Sequence, residues 1–157
     1  MKKFFNILLL VAIVVAGVGI IGFTVPLYIL SAEFAADPVL THMQYPILLL
    51  SYLMLAFILV ALVIAFILVA RSTTRNIFER KTVKSLTVMG HSFLGSFLAI
   101  LAATLYSYAQ LGAEVGLVGS YLLGLCFACF SASLIMYFIA SLFAKAVEYK
   151  EENEWTV

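Results

Sequence analysis

The chain has 157 residues, 65% of them hydrophobic and only 11% charged, with a formal net charge of +1. Together with a mean hydropathy of +1.16, this excludes a water-soluble globular domain of this length, because too little polar surface exists to cover it, and makes lipid the solvent. Two cysteines, Cys126 and Cys129, sit in one apolar run; they define no disulfide framework and reveal no redox compartment.

Met1-Lys2-Lys3 precedes the apolar run Phe4 to Leu30. A secretory h-region is typically ~7–15 residues, so this longer run reads as an uncleaved first span, despite the small residues at Ala35-Ala36. Gly17, Gly19 and Gly22 permit close helix approach, and Pro26 predicts a kink or an early end near the outer boundary. Ser31 to Gln44 is a polar link carrying Glu33, Asp37 and His42 but no Lys or Arg. Tyr28 and Tyr45 bracket it as interfacial aromatics do. The second span covers Tyr45 to Ala70.

Arg71 to Lys84, the long polar interruption at mid-chain, holds Arg71, Arg75, Arg80, Lys81 and Lys84 against the single acid Glu79. The four-residue spacing of Arg71, Arg75 and Glu79 predicts that the second helix continues into it, with Thr82 or Ser85 capping the next helix. The third span covers about 86–108, a turn with Gly112 and Glu114 follows, and the fourth span covers about 116–143. The tail, 144–157, sets Lys145 and Lys150 against Glu148, Glu151, Glu152 and Glu154. All nine Lys and Arg lie at the N-terminus, in the central segment or in the tail, and the two opposite links have none. Positive-inside then predicts one all-α domain, an integral membrane four-helix bundle with both termini and segment 71–84 cytoplasmic.

Small residues recur every fourth position in span four (Gly112, Gly116, Ser120, Gly124, Ala128, Ala132) and in span three (Gly95, Ala99, Ala103, Ser107). The short turn makes these spans antiparallel neighbours, and the spacing predicts that the two ridges face each other.

Residues with chemical potential are few. Cys126 and Cys129 have the CxxC spacing of thiol redox motifs. They lie about ten residues inside a span with no cation adjacent and no second pair to relay electrons, so they read as buried packing residues. His91, near the inner end of span three, is the ionisable residue placed inside a span and marks a possible intramembrane polar site; the plainer reading is a neutral interfacial His bonded to a Ser or a backbone carbonyl. Glu33, Asp37, His42 and Glu114 share the outer face but match no metal-ligand spacing. The span interiors hold no Asp, Glu, Lys or Arg, which disfavours a proton-coupled transporter. No catalytic, cofactor or metal residue is expected, and the chain is not expected to be an enzyme. Ile77, Phe78 and Trp155 are apolar residues within polar pieces of opposite charge, so Phe78, Glu151, Glu152 and Trp155 form the expected docking surface for a partner. The basic segment is also expected to attract anionic lipid headgroups.

Three stretches carry a resemblance: 45–50 (YPILLL), 77–86 (IFERKTVKSL) and 146–157 (AVEYKEENEWTV). They resemble a family of small four-span bacterial membrane proteins catalogued as a domain of unknown function, whose specific mark is an acid-rich ending followed by an apolar residue and Thr-Val or Thr-Ile. Trp155 stands here where Leu is more usual. The resemblance implies a multi-pass protein of the bacterial cytoplasmic membrane, and a link to a short Cro/C1-type helix-turn-helix regulator often encoded beside such proteins. It brings no activity, ligand or catalytic residue. The expected function is a membrane-embedded regulatory or partner-binding protein. The alternatives are a small transport, export or toxin-immunity component and, more distantly, a thiol oxidoreductase. The partners expected are the lipid bilayer and the regulator, with no direct nucleic-acid contact and homo-oligomerisation left open.

Overall fold

The computed structural model describes residues 2–38, 40–72, 79–112 and 116–155. Four helices account for most of them: α1 (Lys2–Ala35), α2 (Gln44–Ser72), α3 (Arg80–Leu111) and α4 (Gly116–Trp155), with a single 3₁₀ turn, Thr41–Met43, before α2. All four are long and apolar enough to cross a membrane. They form because an apolar run in lipid must satisfy its backbone groups internally, and a helix does so along its whole length.

Helix ends differ from the sequence expectation in three places. Pro26 does not end α1, which runs nine residues further to Ala35; in lipid the loss of one backbone bond does not release the chain to water. Neither Thr82 nor Ser85 caps α3. Glu79, extended at φ −132° and ψ 150°, precedes Arg80 without a side-chain cap, so α2 does not run helically through to Glu79. The tail is not a separate polar piece either, since α4 continues through it to Trp155. Between α3 and α4 the chain turns on Gly112, whose φ of +56° lies in the left-handed region that favours glycine. Its N–H bonds the Tyr108 carbonyl.

The helices are arranged in series. α1 packs on α2, α2 on α3 and α3 on α4, the last being the most extensive interface; among the described residues no other helix pair shares a substantial surface. The expected four-helix bundle is thus packed in series, with α2 and α3 as its inner helices and α3 the one with the most extensive contacts on both sides. Leu86, Met89, Ser96, Ala99, Ile100, Ala103 and Thr104 of α3 are buried, whereas α1 buries nothing in its apolar window. Near the Arg80 end, Leu86 and Met89 meet Ala140 of α4, with Ile64, Ala65 and Leu68 of α2 and Met136, Ile139 and Phe143 of α4 packed around them.

The contacting stripe of each outer helix follows a 3.5-residue repeat. In α1 the half-buried positions are Asn6, Leu10, Ile13, Gly17, Ile20, Thr24, Leu27 and Ser31. In α4 the covered positions include Gly119, Leu122, Cys126, Cys129, Ser133, Met136, Ala140, Phe143 and Val147. A seam that stays against its neighbour needs this alternation of threes and fours. The expected ridge on α4 fails for that reason. A strict step of four advances about 40° per repeat around a 3.6-residue helix, so the row from Gly112 to Ala132 winds off any single face. Gly116, Ser120, Gly124 and Ala128 are exposed. On α3 the small residues do pack, but Gly95 meets Phe57 of α2 rather than α4.

Each neighbouring pair is tied by a bond between helices. Asn6 Nδ2 donates to Ser72 Oγ at 3.3 Å and Tyr52 Oη to the Thr24 carbonyl at 3.2 Å, joining α1 to α2. Ser96 Oγ donates to the Met54 carbonyl at 3.2 Å, joining α3 to α2, and Ser133 Oγ to the Gly90 carbonyl at 3.0 Å, joining α4 to α3. Such bonds are worth about 0.6 kcal/mol each in membrane proteins, so they fix register more than they drive association.

Candidate functional site

The candidate site is the charged end of the α3–α4 pair, where an ion pair joins the two helices. At ~1.5 Å per residue, the 40 residues of α4 span about 60 Å, twice a hydrocarbon core of about 30 Å. The helix end that carries Glu148 to Trp155 therefore stands clear of the acyl chains. There Arg80 Nε and Nη2 donate to Glu151 Oε1 and Oε2 at 2.9 and 2.6 Å. This bidentate pair joins the first residue of α3 to the last turns of α4, and it is exposed on both sides. The Arg80 guanidinium holds the Glu151 carboxyl below its ordinary range, first through the hydrogen bond and then through charge. Glu148 adds its field to Arg80.

Of the expected docking residues, Glu151 is thus engaged by Arg80, and Glu152 is exposed one position further on. Phe78 lies outside the described residues. Trp155 closes α4, its side chain likewise outside them. Charge counting placed Arg80 in the basic segment without singling it out. The signal that finds it is the antiparallel register, which sets the first residue of α3 level with the acids ending α4.

His91 is not on a packed small-residue face. It is exposed on the outside of the α3–α4 pair. Its Nδ1 lies 2.8 Å from the Thr87 carbonyl; a carbonyl only accepts, so Nδ1 carries a proton and donates. The ring meets Tyr137 of α4 edge-on, with centroids 5.5 Å apart. Tyr137 lies close because Gly90 is bare: a Cβ there would sit 2.9 Å from Tyr137 Cε1.

Cys126 and Cys129 are free and buried on the α4 seam. Cys126 Sγ lies 3.7 Å from Thr104 Oγ1, whose hydroxyl donates to the Ile100 carbonyl at 2.7 Å. The thiols fill the space where α4 crosses α3. At the opposite end His42 Nε2 and Gln110 Oε1 are 3.2 Å apart, bridging the first link to the end of α3. Among the described residues no three His, Cys, Asp or Glu converge as a metal-binding group, and Glu114 of the expected outer-face set lies outside them.

Four apolar helices, alternating in direction and with Lys and Arg confined to one end, define an α-helical multi-pass membrane protein. The family model described as Protein of unknown function (DUF2975) matches residues 28–157, and the chain belongs to that family. Comparison with curated proteins and with solved structures found no match.

Proposed function

We propose that this is a regulatory, partner-binding protein of the bacterial cytoplasmic membrane. Its working part is the charged end of the α3–α4 pair, held in the cytoplasm. The observation that carries the reading is the Arg80–Glu151 clasp at the end of helices that outrun the bilayer. Topology needs only Lys or Arg near the membrane; it needs neither a helix extended by several turns nor a bidentate pair closing its end. Such an end is a rigid platform with Glu151 and Glu152 on its rim, and the sequence supplies Phe78 and Trp155 as the apolar residues proposed to anchor a partner there. The partner proposed is a small helix-turn-helix DNA-binding regulator, consistent with the sequence resemblance. The antiparallel alternation of the helices and the confinement of Lys and Arg to one side support both termini being cytoplasmic.

The alternative of a transport or export component is less well supported. The buried hydroxyls of Ser92, Ser96, Thr104, Ser107 and Ser133 all donate to backbone carbonyls and line no charged path. The test is co-purification of the full chain with the product of any adjacent helix-turn-helix gene, comparing wild type with Trp155→Ala and with a chain ending at Lys150. Loss of the partner from both variants, with normal insertion, supports the docking surface. Retention equal to wild type removes it.

A further inference from the structure

We propose that the outer face of the projecting α4 end, centred on Tyr149, seats the basic surface with which the regulator grips DNA. Docking here and binding DNA are then mutually exclusive. This rests on the regulator reading, to which it adds the face and the chemistry of contact.

The chain sets four residues of this end on one side. Lys145, Glu148, Tyr149 and Glu152 fall within about 100° of helix surface, at ~100° per residue, and all four are exposed. They turn away from the seam toward α3 that Ala140, Phe143 and Val147 trace. Exposed Phe138 and Leu142 continue the same side deeper into the bilayer. Tyr149 is 67% exposed, an aromatic that the count of charges in the tail passes over.

Charge changes sign along this face, and that order decides what covers it. Phe138 and Leu142 face acyl chains. Lys145 follows, where an ammonium on a long stem reaches back to lipid phosphate. Tyr149 lies one turn further out, about 6 Å, with Glu148 before it and Glu152 after it. A tyrosine of an interfacial belt rests among headgroups. Here the anionic surface of the cytoplasmic leaflet repels the two carboxylates, so this face does not lie down on lipid. Its ring stands in water beside charges, which is the composition of an interaction hot spot.

The same groups select the occupant. The carboxylates of Glu148 and Glu152 stand about 6 Å apart along the axis and attract cations. The face of the phenol ring takes a guanidinium by cation–π contact. An arginine over Tyr149 therefore meets a carboxylate on each side. Glu151, spent on Arg80, holds the end rigid against α3 and leaves the outer face to the other two acids. A DNA-binding regulator carries its cations where it neutralises phosphates. Contact with Tyr149 and contact with DNA thus draw on one surface, and a regulator seated at the membrane is held off its operator.

The full chain, purified in detergent and immobilised, is offered the product of any adjacent helix-turn-helix gene. Retained regulator is measured with and without a DNA duplex that the regulator binds. Wild type is expected to retain it, to release it as the duplex approaches stoichiometric amounts, and to hold it less well as salt rises. Tyr149→Ala is expected to weaken retention about 30-fold, a hot-spot loss of about 2 kcal/mol. Glu148→Gln with Glu152→Gln is expected to weaken it several-fold. Phe138→Ala, on the same side but within the apolar stretch, should retain the regulator as wild type does. Retention undiminished by the duplex, or by Tyr149→Ala in a variant that melts normally, overturns this face and leaves the regulator reading standing. No retention by wild type removes both.

Discussion

Gly90 shows how one missing side chain organises the α3–α4 contact. Its bare Cα admits the edge of Tyr137, and its carbonyl receives the Ser133 hydroxyl. Gly90→Val is therefore expected to destabilise the protein by about 1–3 kcal/mol through overpacking, read as a fall in melting temperature in detergent. Ser133→Ala is expected to cost no more than about 1 kcal/mol. Gly124→Leu is the control. No atom lies within 4 Å of the Cβ it would add, so its melting temperature should stay at the wild-type value; a drop as large as that of Gly90→Val would contradict the exposed placement of the Gly116–Ala128 row. The thiols follow the same logic. Cys126→Ala with Cys129→Ala is expected to insert, fold and keep activity, and loss of activity in a folded double variant would revive redox chemistry. Their burial was legible from depth in the sequence alone. Their place on the seam itself was not, because a spacing of three matches a redox motif and a coiled seam equally well.

At the scale of the helices, existence and type were legible because each apolar run is longer than a bilayer is thick. The boundaries were less so. The tail looked like a solvated piece because its charges dominate its composition, yet helices propagate through charged residues once nucleated, and α4 arrives already formed. The Arg80–Glu151 pair then fixes the projecting end. A carboxyl held below its unfolded value contributes stability that is full above the unfolded pKa of about 4.3 and is lost as pH falls through the lowered folded value. Acidification from neutrality should accordingly leave the clasp intact until the acidic range and open it there, while Glu151→Gln should be open throughout. Spin labels at Lys81→Cys and Glu148→Cys, in the background lacking Cys126 and Cys129, would read this as a broadened distance distribution at low pH. An unchanged distribution in Glu151→Gln would show that packing deeper in the pair, not the clasp, holds the ends together.

At the scale of the whole molecule, the serial packing was not legible. Four apolar helices can close into a ring or pack in a row, and α1 and α2 are too uniformly apolar for hydropathy to mark a buried face. What decides it is where polar and small residues allow contact on two sides, and α3 has both, with Ser96 and Gly95 toward α2 and Gly90 and Thr104 toward α4. Orientation, by contrast, rests on charge. Asn6 against Ser72 and Arg80 against Glu151 set the start of each odd helix beside the end of the next, and the positive-inside bias is the ground for proposing that this shared end is cytoplasmic. The prediction is that single cysteines at Ala36 and Gly112, in the cysteine-free background, react with an impermeant thiol reagent added to intact cells. Cysteines at Glu79 and Glu152 should react only after permeabilisation. Each pair brackets helices whose ends the structure sets together, so the four positions must sort two and two. Labelling of Glu79→Cys from outside would reverse the orientation and remove the docking surface from the compartment where a DNA-binding regulator resides.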